Sequence, residues 1–176
     1  MIAAKDFERY EALLAYLGAL PGKMISIHEA NNLSAIVLHD ICNMPCFGVH
    51  KAAYFVDNPE FNTCAGIVGF CKDERCDWCN AWQDPVIFDR AMQTSAFNQQ
   101  VRALLLESIV RNKLIHADVV KRVAPQLGFA HPVWHAWHLK HGNDGLLVYE
   151  KDDHNDTSFD QHFINTLALL GFCAIH

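Results

Sequence analysis

The amino-acid sequence predicts an α+β fold in which an antiparallel or mixed sheet packs against helices. Apolar residues recur at helical spacing near both ends of the chain and in its middle, and apolar stretches separated by short turns lie between them. Adjacent strands joined by short turns favour antiparallel pairing. We expect about five to six strands, including a C-terminal hairpin. The 176 residues are 51% hydrophobic and 19% charged, so we expect a single globular domain spanning 1–176.

The N-terminal region predicts a helix followed by strands. Apolar side chains at helical spacing over 6–20 indicate an amphipathic opening helix, and Pro21 with Gly22 predicts its end. A short strand is expected at 24–28. The stretch 34–41 carries apolar residues on both faces, which is typical of a buried central strand.

The next region predicts a pair of strands joined by a tight turn. The stretch 47–56 is also apolar on both faces, and the residues at 57–60 have the composition of a turn. The stretch 63–70 is then the partner strand. Gly66 and Gly69 within it indicate a bulge or a close approach of another backbone.

The middle of the chain predicts a block of helices. Asp84 and Pro85 have the types preferred at a helix N-cap and at the first helical position. A third helix is expected at about 117–127, ending at Gly128. Between them, Ser95 is expected to cap a longer helix whose inner face carries Phe97, Val101, Leu104, Leu105 and Ile109.

The C-terminal third predicts a hairpin and a final helix. The stretches 133–141 and 146–151 flank the turn residues 142–145, which is a strong hairpin pattern. A last helix is expected to start near 157 or 158 and to end at Gly171. Its buried residues would be Phe159, Phe163, Leu167 and Leu170.

The cysteines suggest a metal site. Five of the seven fall into two clusters, Cys42-x3-Cys46 and Cys71-x4-Cys76-x2-Cys79. The two-residue gap lets two thiolates face one ion, and zinc accepts thiolate sulfur in a tetrahedron. If the three predicted strands before the second cluster form an antiparallel meander, both clusters lie at one end of the sheet. The sequence therefore predicts a mainly structural zinc ion between the 42–46 and 71–79 loops.

Other uses of the same cysteines stay open. The spacing of Cys71, Cys76 and Cys79 resembles the plant-type ferredoxin loop that holds a [2Fe–2S] cluster. That resemblance covers nine residues, and the bulky, charged residues between these cysteines depart from the small ones that a cluster loop needs. Thiol redox chemistry by Cys76 and Cys79 is a further alternative. The cysteines would otherwise be small buried core residues.

The histidines suggest a catalytic site. Five of the eleven histidines lie in and around the predicted hairpin. A four-residue turn at 142–145 would place Trp137 opposite Glu150 and His135 opposite Asp152, so that His135 shares a patch with both acids. A histidine with a carboxylate partner can be a general base or a metal ligand. If the first strand is instead a helix, His131, His135 and His138 share one face. We take His135, His138 and Asp152 as candidate catalytic residues, against the alternative of half-buried structural histidines.

His50 is a further candidate. It lies in an apolar stretch between Gly48 and Ala52, so it is expected either to face a pocket or to be a satisfied core histidine. The chain contains no G-x-S-x-G, H-E-x-x-H, Walker A or dinucleotide-binding motif. The commonest hydrolase, zinc-protease, ATPase and Rossmann functions are therefore not indicated.

Composition limits the partners. The net charge is −6 without a basic stripe, which argues against nucleic acid. Acidic residues near the start argue against a signal peptide, and no apolar run approaches the ~20 residues that span a bilayer. The chain has seven cysteines and is too large to depend on disulfides for its stability, which favours a reducing compartment, the cytoplasm. We expect a small cytoplasmic zinc-binding domain. The alternatives are an enzyme using the hairpin residues, or a ligand-binding or interaction domain; both a monomer and a homo-oligomer fit the sequence.

Overall fold

The computed structural model describes residues 4–26, 32–74, 81–153, 157 and 159–173. The helices are α1 (Ala4–Ser26), α2 (Leu33–Cys42), α3 (Pro85–Thr94), α4 (Ala96–Arg102), α5 (His116–Gln126) and α6 (Asp160–Leu167). The strands are β1 (Val49–Asn58), β2 (Thr63–Cys71), β3 (Leu105–Leu106), β4 (Val133–His138) and β5 (Asp144–Lys151). Single 3₁₀ turns lie at Lys72–Glu74, Lys140–Gly142 and Ala168–Phe172.

The five strands form one antiparallel sheet in the order β3-β2-β1-β5-β4. The predicted α+β class is therefore confirmed. The central strand β1 is buried on both faces, as its apolar sequence predicted. Ala52 and Tyr54 face a first core, which α1, α2 and α6 complete, while Ala53 and Phe55 face a second core, which α4 and α5 complete. No helix among the described residues is both long and apolar enough to cross a membrane.

The strand predicted at 34–41 is wrong, because these residues belong to α2. Eight of the ten α2 residues are buried. A short helix buried on almost all sides has no polar stripe, so its sequence cannot be distinguished from that of a buried strand by periodicity.

The predicted end of α1 is also wrong. The helix continues through Pro21 to Ser26, so the first three residues of the strand expected at 24–28 are helical. Met24 is buried in the first core four residues after Leu20. This burial continues the apolar stripe of α1 past the proline. Residues 27 and 28 lie outside the described part of the chain.

The helix predicted after Ser95 is shorter than expected. The Asn98 N–H donates to Ser95 Oγ at 3.0 Å, so the predicted N-cap is confirmed. The helix ends at Arg102 because the chain turns toward the sheet, where the Gly66 N–H donates to the Leu104 carbonyl at 2.9 Å. The next two residues form β3 on the edge of β2.

The two glycines of β2 allow α4 to approach closely, as the sequence indicated. A Cβ on Gly66 would lie 1.9 Å from the Val101 carbonyl oxygen, and one on Gly69 would lie 2.8 Å from the Val101 side chain. The pairing with β1 passes from Tyr54–Val68 to Phe55–Gly66, which makes Ile67 the extra residue of a β-bulge.

The C-terminal hairpin is confirmed, but its predicted register is wrong. His135 lies opposite Leu147, not Asp152, and Trp137 lies opposite Gly145, not Glu150. The connection contains a 3₁₀ turn and β5 begins already at Asp144, so the loop differs from the simple 142–145 turn. The Trp137 ring also covers Gly145, where a Cβ would lie 2.7 Å from it.

The remaining helices match the predictions closely. α3 begins at Pro85, and α5 ends just before Gly128, whose φ is +66°. The final helix begins at Asp160 and passes into a 3₁₀ turn that ends at Phe172. Its four predicted core residues are all buried: Phe159, Phe163, Leu167 and Leu170.

Candidate functional site

A pocket of about 260 Å³ lies at the end of the sheet where β1 begins and β5 ends. We call it the sheet-end pocket. Gly48, with φ +59°, turns the α2–β1 loop into β1, and its carbonyl accepts the Asp152 N–H at 2.8 Å. This bond joins two walls of the pocket. The lining residues are Cys42, Asn43, Met44, Pro45, Gly48, Val49, Lys72 and Asp152.

His50 lies beside this pocket because β1 is irregular there. The pairing with β5 passes from Val49–Lys151 to Lys51–Glu150, so His50 is the extra residue of a bulge. Bulges re-aim side chains, and they are common next to active sites. The His50 Nδ1 lies 3.4 Å from Asp152 Oδ1. The opposite ring nitrogen, Nε2, lies 3.7 Å from Asp73 Oδ2.

Asp152 connects His50 to a lysine. The Lys72 ammonium forms an ion pair with Asp152 Oδ2, while Oδ1 faces His50. Lys72 and Asp152 are 40% and 43% exposed, so a molecule entering the pocket can reach both charges. The arrangement can bind charged groups, and it holds an imidazole in a defined orientation beside them.

Four of the described cysteines are buried thiols. Burial raises the pKa of Cys42 and Cys46, and it raises the pKa of Cys64 and Cys173 to about 12. In the metal-free chain all four are therefore neutral near pH 7 and pack as small apolar residues. Cys71 is half-buried and packs against the second core, whereas Cys42 and Cys46 belong to the first core.

The described residues alone do not assemble a metal site. Within them, no group of three His, Cys, Asp or Glu side chains is arranged to hold an ion. Cys76 and Cys79 lie outside the described residues, so their predicted contact with Cys42 or Cys46 stays a prediction. The meander behind that prediction is wrong, because 34–41 is helical. The two loops nevertheless start at one end of the sheet, since α2 leads into the start of β1, where Lys51 pairs with Cys71 at the end of β2.

The three candidate catalytic residues do not form one site. His138 lies opposite Asp144 at one end of β5, whereas Asp152 follows the other end. Eight strand residues at ~3.3 Å each separate the two aspartates by about 26 Å. His135 lies between these ends and stacks on Trp137. Burial lowers the pKa of His135.

His138 has a partner that the sequence interpretation missed. Its Nδ1 forms a short contact with a carboxylate oxygen of the buried Asp144, while 97% of the His138 side chain is exposed. Asp144 is also the strand partner of Asp57, which accepts the Val110 N–H at 2.8 Å. A catalytic role for His138 stays a prediction, now with Asp144 as its acidic partner.

The sequence interpretation found His50 and Asp152 but not what joins them. Lys72 and Asp73 were seen only as the charged context of the cysteines. Their position directly after a strand antiparallel to β1 would have placed them near the start of β1.

Comparisons of this chain with protein-family models, with curated protein sequences and with solved structures found no match.

Proposed function

We propose that this chain binds a small polar molecule in the sheet-end pocket. The observation that carries the proposal is the Asp152 carboxylate, which bridges Lys72 and His50 at a concave site. A pocket with a few convergent polar groups is the usual form of a small-molecule site. A histidine oriented by a carboxylate can also exchange protons with a bound molecule, which would make the chain an enzyme.

Local backbone features support this proposal. Gly48 adopts a left-handed conformation, and His50 occupies a bulge, within three residues of each other. Bulges are over-represented next to active sites, and glycine can take the left-handed conformation without steric cost. Met44, Pro45 and Val49 add apolar surface to the same pocket lining.

Amide chemical shifts of the full chain test the proposal. We would titrate it with small carboxylates, phosphates, amines, amino acids and sugars. At least one compound should shift the resonances of Asn43, Gly48 and Asp152 together, since these residues line or border one pocket. Shifts confined to other regions, or no shifts with any compound, would refute the proposal.

We propose as a second function that Cys42, Cys46, Cys76 and Cys79 hold a structural zinc ion. The favouring observation is the surroundings of the first pair. Asp40, Cys42 and Cys46 all lie near the buried Tyr16. The Lys23 ammonium lies 6.0 Å from the Tyr16 ring centre and 5.4 Å from that of Trp82. Trp82, which follows Cys79 by three residues in the sequence, therefore lies in the neighbourhood of the first pair.

Elemental analysis of protein purified without added metal tests the second proposal. One zinc per chain would support it. Iron with sulfide would instead favour the iron–sulfur alternative, and the absence of both would leave these cysteines as thiols.

We propose that the chain is cytoplasmic and has no nucleic-acid partners. The described cysteines are all free thiols, as in a reducing compartment, and the net charge is −6.

A further inference from the structure

We infer that the molecule bound in the sheet-end pocket is a small zwitterion that carries one ammonium and one carboxylate group, such as an amino acid. This inference rests on the proposed small-molecule function of the same pocket. It follows from the charges on the pocket wall, from the surface around them and from the pocket volume.

The charges of Lys72 and Asp152 favour a ligand that carries both signs of charge. Without a ligand, the Lys72 ammonium and the Asp152 carboxylate neutralise each other. A cation on Asp152 would take this partner from Lys72, and an anion on Lys72 would leave Asp152 with His50 alone, so a singly charged ligand loses part of the existing charge pairing. A zwitterion avoids this cost, because its carboxylate can contact Lys72 while its ammonium contacts Asp152.

A second carboxylate, Asp73, disfavours a purely anionic ligand. Asp73 and Asp152 flank His50 on opposite ring nitrogens. An anion without a cationic group would approach two carboxylates for one lysine, in a chain whose net charge is −6. An ammonium group on the ligand reverses that repulsion. We therefore expect the ligand to need its ammonium group in order to bind.

The volume and lining of the sheet-end pocket fit a small ligand. A volume of about 260 Å³ lies just below the ~300–1,000 Å³ of pockets for drug-sized ligands. Asn43 adds one amide, and Met44, Pro45 and Val49 form an apolar wall. One zwitterionic head group and a short, weakly polar side chain satisfy these features. A nucleotide or an oligosaccharide does not.

The test compares L-alanine with the two compounds that each lack one of its charges. Propionate lacks the ammonium group, and ethylamine lacks the carboxylate. L-Alanine should shift the amide resonances of Asn43, Gly48 and Asp152 at pH 7. Propionate and ethylamine should bind at least tenfold more weakly. Inorganic phosphate serves as an anion of different geometry.

Matched variants connect the binding to the ion pair. Lys72→Met and Asp152→Asn should each weaken L-alanine binding at least tenfold. Lys121 and Asp118 form a similar exposed ion pair at 3.3 Å on α5, away from the pocket lining. Lys121→Met and Asp118→Asn should therefore leave binding unchanged.

The outcomes separate the two claims. Equal binding of propionate, ethylamine or phosphate at the pocket would overturn the zwitterion inference and leave the small-molecule function standing. Binding of L-alanine that survives both pocket variants would also overturn the inference. If no compound of either panel perturbs the pocket, both claims fail.

Discussion

Gly66→Ala should strongly destabilise the fold, because β2 and α4 are in backbone contact there. The new Cβ would lie 1.9 Å from the Val101 carbonyl oxygen, and normal carbon–oxygen contacts are ~3.3–3.6 Å, so α4 would have to move by about 1.4 Å. That movement strains two hydrogen bonds of 2.9 Å, which the Gly66 N–H donates to the Leu104 carbonyl and the Gly69 N–H donates to Asn98 Oδ1.

The expected loss follows from these contacts. Overpacking costs ~1–3 kcal/mol and each weakened hydrogen bond ~0.5–1.5 kcal/mol, so we expect a loss of about 3 kcal/mol in the free energy of unfolding. The melting temperature should then fall by roughly 6–12 °C. Circular dichroism during thermal and urea unfolding measures both quantities.

Gly18→Ala is the matched control. Gly18 lies inside α1 with open space where its Cβ would be. The change should leave stability unchanged or raise it by up to ~1 kcal/mol, since alanine favours helices. If Gly66→Ala unfolds within 1 kcal/mol of the unmodified chain, the close contact between α4 and β2 does not exist and the reasoning fails.

Three further predictions address the site and the hairpin. Gly48 and Gly142 have φ of +59° and +71° with open space around them, so Gly48→Ala and Gly142→Ala should each lose about 1–2 kcal/mol in urea unfolding. Only Gly48→Ala should also weaken binding in the sheet-end pocket; equal effects on binding would contradict the placement of the site. For the zinc proposal, a strong chelator or Cys79→Ser should lower the melting temperature by on the order of 10 °C, because metal binding energy is folding energy. An unchanged melting curve in metal-free protein would remove that proposal. Burial lowers the pKa of His135, so protonation favours the unfolded chain. The stability contributed by neutral His135 is complete above its unfolded pKa of about 6.5 and is lost as the pH falls from there through the folded pKa. His135→Gln should flatten that part of a pH–stability curve, and identical slopes would count against the burial of the ring.

Much of the fold follows from local sequence patterns. β1, β2 and α5 were placed to within a few residues because turn residues bound them clearly. The predictions were wrong where a buried helix lacks the usual alternation of polar and apolar faces, and where a helix continues past a proline. Eight of the ten α2 residues are buried, which leaves no wide polar stripe to mark the helix, and α1 continues past Pro21 to bury Met24.

The candidate site was only partly predictable, because its geometry depends on two irregularities. His50 was noted for its small neighbours, but a regular alternation of side chains does not reveal the bulge that brings it to Asp152. Asp152 was assigned to His135 through an assumed four-residue turn. The observed connection is 139–143, so the turn lies earlier in the chain than predicted and the partner of His135 is Leu147, five residues before Asp152.

The contribution of the Lys72–Asp152–His50 group to stability cannot account for its geometry. Exposed ion pairs typically stabilise by only ~0.2–1 kcal/mol, and Lys72 and Asp152 are each about two-fifths exposed. This small gain is opposed by a bulge that interrupts the β1–β5 ladder. A regular strand at 48–51 would keep the ladder continuous and lose the contact between His50 and Asp152. The irregular backbone therefore makes physical sense as a way to position these charges around a ligand.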